Sequence, residues 1–420
     1  MKIKLNLSFI VLLLMLTNFC LGQSAEVLYD ESKIPAYTLP DPLVMQNGQK
    51  VETAEQWINQ RRPELIKLFE EYVYGVKPKK QVKYLFEETK VVPDFLEGRA
   101  TLKEINLDFA DAPLDRPISL LLIIPNGNDG PVPVFAGLNF GGNQTVHTSN
   151  EITLAKVWNG NIGELSIADE NTRGSGATRW PVERIIDRGY AIITAYYGDI
   201  DPDFDDGFKN GIHPLFDESR NESSWGSMSA WAWGLSRMLD YAEMDEALDQ
   251  RKVIVIGHSR LGKTALWAGA LDERFAAIIS NDSGCGGAAL SRREYGETIK
   301  SITTIFPHWF CKRLSEYGSK VNKLPVDQHE LIALMAPRPV YIASAEDDQW
   351  ADPHGEFLSA VYAEPVYKLF GLKGLPVQEM PVVNRPVYNR IGYHIRTGKH
   401  DITPYDWEQY LDFVDINLNR

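Results

Sequence analysis

Hydrophobic and polar positions change period several times along the 420 residues. Residues 26–49, rich in Pro, Asp and Tyr, read as an extended lead-in. Residues 53–74 (TAEQWINQRRPELIKLFEEYVY) space apolar side chains at helical intervals. They predict a surface helix, broken or capped near Pro63. Between residues 81 and 126 the period drops to two, which predicts antiparallel strands over 82–87, 100–105 and 118–125. From Val132 onward, short apolar runs alternate with polar loops and helical stretches, the signature of a parallel sheet with crossovers. Buried strands are expected over 132–138, 190–197, 253–256, 276–282 and 338–345. Helices are expected over 224–241, with Trp231, Leu235 and Met238 on one face, over 264–271, and over 407–419. No internal repeat or low-complexity tract interrupts this order, so residues 23–420 read as one α/β domain with the antiparallel strands (about 80–126) joined to it.

Composition narrows the setting. Lys2 and Lys4 precede a mostly apolar run over 5–16, and Cys20-Leu21-Gly22 ends in small residues at the cleavage positions. This predicts a signal peptide over 1–22, cleaved near Gly22, and a secreted or periplasmic protein. The apolar run is short for a membrane span, and Phe19 is too bulky for a lipoprotein signal at Cys20. Cleavage removes two lysines and no acid, taking the formal charge from -14 to -16. So acidic a chain argues against nucleic-acid binding through a broad basic surface. A few local Arg or Lys can still hold a carboxylate. Cys285 and Cys311 would remain after cleavage, and an exported compartment favours a disulfide between them. The acidic run Asp199, Asp201, Asp203, Asp205 and Asp206 lacks calcium-loop spacing and reads as a solvated loop. The insertion over 143–180 is long enough to roof a substrate cleft.

Candidate chemistry centres on one junction. Four β-branched residues, Val253 to Ile256, run into Gly257-His258-Ser259-Arg260-Leu261-Gly262-Lys263, and a small-residue helix follows. A serine at a strand-turn-helix apex is the nucleophile elbow of α/β-hydrolases. Here the second glycine comes one place late, as G-x-S-x-x-G. The glycine turn at Gly141-Gly142 can supply a second oxyanion donor. A serine nucleophile needs a base, and the base needs an acid, in the chain order Ser, acid, His. His400, in a polar loop before the last helix, is the candidate base; His394, in an apolar segment, reads as structural. Asp348 is the preferred acid and Asp347 the second choice, since alternation lets only one of them face the base. Asp282, ending the preceding strand, is a separate candidate. No H-E-x-x-H cluster supports metal-dependent hydrolysis, and no metal or other cofactor is expected.

Together these motifs resemble the bacterial glucuronoyl esterases of carbohydrate esterase family 15. That family's nucleophile motif reads G-C-S-R-x-G-K, so the late glycine is expected. Asp282-Ser283-Gly284-Cys285-Gly286-Gly287 resembles its acid followed by S-G-x-G-G. Further likeness lies in residues 292–298 (RREYGET), 306–310 (FPHWF) and 347–353 (DDQWADP). The resemblance implies a three-layer α/β/α hydrolase acting on esters between 4-O-methyl-glucuronic acid of xylan and lignin alcohols. It implies Ser259 as nucleophile, His400 as base and Arg260 as oxyanion donor. Lys263, Glu297 and Trp350 match its sugar contacts. The family carries its acid on either of two strands; Asp282 is one methylene shorter than the glutamate usual at the first place, which favours Asp348. An acetylxylan or other carbohydrate deacetylase, and a non-catalytic sugar-binding relative, are the alternative readings.

Overall fold

The computed structural model describes residues 27–418, apart from 111–113, 115, 161–162 and 217–218. The expected signal peptide, residues 1–22, lies outside the described residues. In chain order the strands are β1 (Tyr84–Phe95), β2 (Ala100–Phe109), β3 (Ile118–Pro125), β4 (Val132–Asn139), β5 (Lys156–Asn159), β6 (Glu164–Ile167), β7 (Ala191–Tyr196), β8 (Leu248–His258), β9 (Ala277–Asn281), β10 (Val340–Ala345), β11 (Val387–Tyr388) and β12 (Ile391–Arg396). Ten of them form one sheet in the order β1-β2-β3-β7-β4-β8-β9-β10-β12-β11, while β5 and β6 pair as a separate hairpin. From β7 to β12 all neighbours are parallel. The N-terminal strands β1, β2 and β3 pair antiparallel and extend the same sheet through β7.

Alternation along β8 assigns the layers. Val253 and Val255 face one hydrophobic cluster, with Met228, Trp231 and Leu235 of the helix Ser227–Met244 and Leu261, Ala265 and Leu266 of the helix Arg260–Leu271. Ile254 and Ile256 face the other, with Val182, Ile185 and Ile186 of Val182–Asp187 and Trp407, Tyr410 and Leu411 of Pro404–Asn417. Helices thus cover both faces of a mostly parallel sheet, the three-layer arrangement that places loops at the strands' C-terminal edge. Among the described residues no helix is long and apolar enough to cross a membrane.

Two expectations about the scaffold change. The helical stretch after Thr53 runs on past Pro63 rather than breaking there. It begins at a capping box between Thr53 and Gln56, and a wider π turn over Trp57–Arg61 lies just ahead of the proline, where the missing donor and the ring would otherwise disrupt the ladder. It lies at the surface as expected, with Glu55, Ile58, Asn59, Gln60 and Lys67 exposed, while its inner face buries Trp57, Leu65, Phe69 and Tyr74 and pairs buried Arg61 with Glu330 at 2.7 Å. The disulfide does not form; Cys285 and Cys311 are buried free thiols. Their loops meet through the Phe310 ring, which packs where a Cβ on Gly286 would lie 2.5 Å away. Cys311 instead turns its Sγ to the Glu71 carbonyl at 3.7 Å. Burial pushes the Cys311 thiol up to about 11 and that of Cys285 higher still.

The segment after Val27 packs against the loop over 293–296. Leu28 O accepts from Gly296 N at 2.9 Å, Tyr29 packs edge-on to Tyr295, and Glu31 pairs with Arg293 at 2.6 Å.

Candidate active site

The elbow is sterically enforced. Ser259 has φ 58 and ψ -129, a strained conformation held by its surroundings. The chain doubles back so tightly that a Cβ on Gly257 would lie 1.9 Å from Leu261 O. At Gly262 a Cβ would come within 3.1 Å of both Asn281 O and Gly257 O, which explains the glycine one place late. Ser259 N donates to Asn281 O at 2.9 Å, tying the turn to the end of β9.

His400 follows β12 and Asp348 follows β10, neighbouring parallel strands, so both loops open at one edge. Asp347 N donates to Gly398 O at 3.0 Å and draws the loops together. His400 Nδ1 then meets Asp348 Oδ2 at 2.6 Å. Asp348 is buried whereas Asp347 is exposed; both lie in the turn after β10 rather than on the strand, so the turn and not strand alternation separates them. The His400 ring packs 4.6 Å from that of His258, the residue before the serine. His258 gives its Nδ1 to Asn281 Oδ1 at 2.6 Å; burial holds it well below the usual imidazole range and therefore neutral. Ser259 Oγ has no hydrogen-bond partner among the described residues. In hydrolases before substrate binds, the serine-imidazole contact is commonly long and tightens on loading. His394 is fully buried on β12 between Tyr341 OH (2.9 Å) and Asp406 (2.8 Å), a core histidine.

Asp282 also comes close: one ligand atom each from Asp282, Asp348 and His400 lie within 4.8 Å of one another. Its Oδ2 accepts from Asp401 N at 3.2 Å and pairs with Arg396 at 3.4 Å, while Oδ1 has no partner. Burial first, then the neighbouring Glu356 and Asp348, push its carboxyl well above the usual range. His400 Nδ1 is bonded to Asp348 Oδ2 at 2.6 Å, whereas Asp282 Oδ2 is engaged by Asp401 N and Arg396, so the geometry favours Asp348 as the acid.

Glu356 underpins this loop. Its Oε1 accepts from Ser283 N (2.8 Å) and Gly284 N (2.9 Å), and its Oε2 from Ser344 Oγ (2.6 Å). Burial pushes it from the ordinary 4.5 up to about 7. The native state thus keeps this proton at pH values where the unfolded chain has released it. The contribution to stability is full below about pH 4.5 and is lost as pH rises towards 7, on the order of 3 kcal/mol in all. Glu356→Gln keeps an acceptor for the two amides and is expected to flatten the fall in Tm between about pH 5 and 8. A variant Tm that falls as steeply as the parent's would remove Glu356 as the source.

Arg260 and the acidic run correct the solvated-loop expectation. Asp199 is buried against Arg116 (3.0 Å), Asp201 is buried against His213 (3.3 Å), and Asp203 binds Arg260, His308 and Trp309. Lys263 Nζ reaches Ser283 O at 2.5 Å and Glu297 at 3.3 Å, a nearly buried donor-acceptor pair. Trp350 is 36% exposed beside it, and Trp350 O accepts from Glu297 N at 2.8 Å. At the end of the insertion over 143–180, Arg179 reaches Asp401, the residue after His400, at 2.6 Å. The insertion's Thr153 to Lys156 line a polar cleft of about 460 Å³ beside β1, β2 and β3, where Arg116 and Asp199 are already paired with each other. Sequence reasoning missed Asp203, His258 and Glu356; only the x of G-x-S marked His258.

Comparison with known proteins places the whole chain. A family model described as glucuronyl esterase, fungi, matches residues 176–371. Carbohydrate esterase MZ0003, from an unknown prokaryotic organism, is 49% identical over 398 residues, covering 93% of this chain and 92% of that protein. A solved glucuronoyl esterase from Solibacter usitatus superposes with a TM-score of 0.88 at 47% identity, covering 92% of this chain and 99% of that one. A solved CE15 esterase from a marine bacterial metagenome, described as promiscuous, superposes with a TM-score of 0.87 at 49% identity, covering 93% and 100%. With near full-length identity of this order and a shared α/β-hydrolase fold, the chain belongs to the glucuronoyl esterases of carbohydrate esterase family 15.

Proposed function

We propose that the protein is an exported serine esterase that hydrolyses 4-O-methyl-glucuronoyl esters linking glucuronoxylan to lignin alcohols. The observation that carries the reading is the His400–Asp348 pair at 2.6 Å, beside a strained serine elbow. Ser259 Oγ attacks the uronoyl carbonyl and passes its proton to His400 Nε2. The developing oxyanion is met by backbone N–H groups of the elbow and by Arg260. Collapse expels the alcohol, which takes the proton from His400. Water then repeats the sequence on the acyl-serine, releasing the uronate and restoring the hydroxyl.

Lys263 and Glu297 offer a donor and an acceptor to ring hydroxyls, and Trp350 offers an exposed face to the sugar. The His400 side chain is 42% exposed, so the site is open enough to accept an ester carried on a polymer. Export rests on the leader over 1–22, and the mature chain would be one domain over 23–420. The described promiscuity of the metagenomic relative keeps acetylated carbohydrates as a second substrate class to measure. Comparing benzyl glucuronate with an acetylated sugar tests the reading. Faster turnover of the glucuronate is expected, because an acetyl group leaves Lys263, Glu297 and Trp350 without partners. A clean preference for acetyl release would overturn it.

A further inference from the structure

We infer that Asp203 is a positioning residue that aims the Arg260 guanidinium at the oxyanion. The inference rests on the proposed role of Arg260 in ester hydrolysis.

The carboxylate works as a bracket with two ends. Oδ1 is fixed to the scaffold by Trp309 Nε1 at 2.6 Å and His308 Nε2 at 3.0 Å. Oδ2 receives Tyr197 OH at 2.9 Å and Arg260 Nη1. The donors come from three places in the fold: the end of β7, the elbow, and the loop over 306–310. Asp203 is the sole hydrogen-bond partner of the Arg260 side chain among the described residues; the buried Arg260 Nε has none. Aromatic faces define the remaining directions. The guanidinium lies 4.9 Å from the Trp309 ring and 5.8 Å from those of Phe306 and Phe140, and Phe306 and Trp309 stack at 3.8 Å. Rings hold a guanidinium near a plane but do not fix its rotation. One directional ion pair does. Burial alone would raise the Asp203 carboxyl, but His308, Arg260 and Trp309 bring it down to about 2, so the bracket stays charged across the working range of an esterase.

A preorganised donor acts only if it already points at the developing charge. Asp203→Asn keeps shape but replaces the ion pair by a weak amide contact that leaves the guanidinium free to turn. It is expected to lower kcat about 30-fold and to leave KM within about twofold, part of the loss recorded for removing an oxyanion donor outright. Asp203→Glu restores the charge and should recover part of kcat. The decisive measurement is a cycle on benzyl glucuronate: wild type, Asp203→Asn, Arg260→Ala and the double variant, with Ser259→Ala alongside. Asp203→Asn is expected to cost nothing further once Arg260 is gone. Losses that multiply in the double variant, while Ser259→Ala is inactive, would overturn the role of Asp203 and leave the esterase reading intact. Turnover that survives Ser259→Ala would instead overturn that reading itself. Should Asp203→Asn fail to fold by circular dichroism, the same cycle with Tyr197→Phe decides. That change removes one donor from Oδ2, and its few-fold loss of kcat must likewise vanish in the Arg260→Ala background.

Discussion

Ser259→Ala is expected to lower kcat for benzyl glucuronate by about 10⁵-fold while leaving the fold untouched. The chemical half follows from the role of the hydroxyl: without it no acyl-enzyme forms, and only binding and oxyanion stabilisation of a direct attack by water remain. The structural half follows from the site. Alanine carries the same Cβ as serine, so the conformation at φ 58 costs both residues alike. Ser259 Oγ has no hydrogen-bond partner among the described residues, so its loss strands no buried group. Tm should therefore stay within about a degree of the parent, and purified variant should bind the ester without releasing alcohol. Steady-state rates and a thermal melt check both halves. Residual turnover within tenfold of the parent would exclude Ser259 as the nucleophile.

Asp348→Asn and Asp282→Asn should separate just as sharply. Asp348 accepts from His400 Nδ1 at 2.6 Å, which fixes the tautomer with a bare Nε2 ready to take the serine proton. An asparagine can offer its amide N–H instead and favour the tautomer that leaves no base, a loss of about 10³ to 10⁴ in kcat. Asp282 Oδ1 is unpartnered, and an amide oxygen can replace its Oδ2 towards Asp401 N and Arg396. Its asparagine variant should lose less than about tenfold. Equal losses, or the reverse order, would transfer the acid role to Asp282.

Much of this was legible because it depends on local pattern and chain order. Apolar runs of five to eight residues marked β4, β7, β9 and β10, and the glycines flanking Ser259 marked the turn. Chain order named His400 and Asp348, because loops after neighbouring parallel strands must open at one edge. What stayed hidden depends on distant partners. Asp203 looked like one acid among five, and its meaning lies 57 residues away in Arg260 and 105 away in His308. Glu356 is a first-turn acid of the helix Pro353–Tyr362, and nothing nearby in the chain announces that it is buried under the Ser283 loop. The cysteines failed for a related reason: compartment bears on whether a disulfide survives, not on whether two thiols meet. At Pro63, helical period alone does not distinguish a broken helix from one that widens by a residue.

The contact between Leu28 and Gly296 has a practical side. An affinity tag fused directly ahead of Val27 would emerge beside Gly296, next to Glu297 and the adjoining Trp350, where the sugar is expected to sit. Recombinant preparations tagged at opposite ends can therefore differ in KM for reasons unrelated to the native enzyme, and a cleavable or carboxy-terminal purification handle is the sound choice for kinetics.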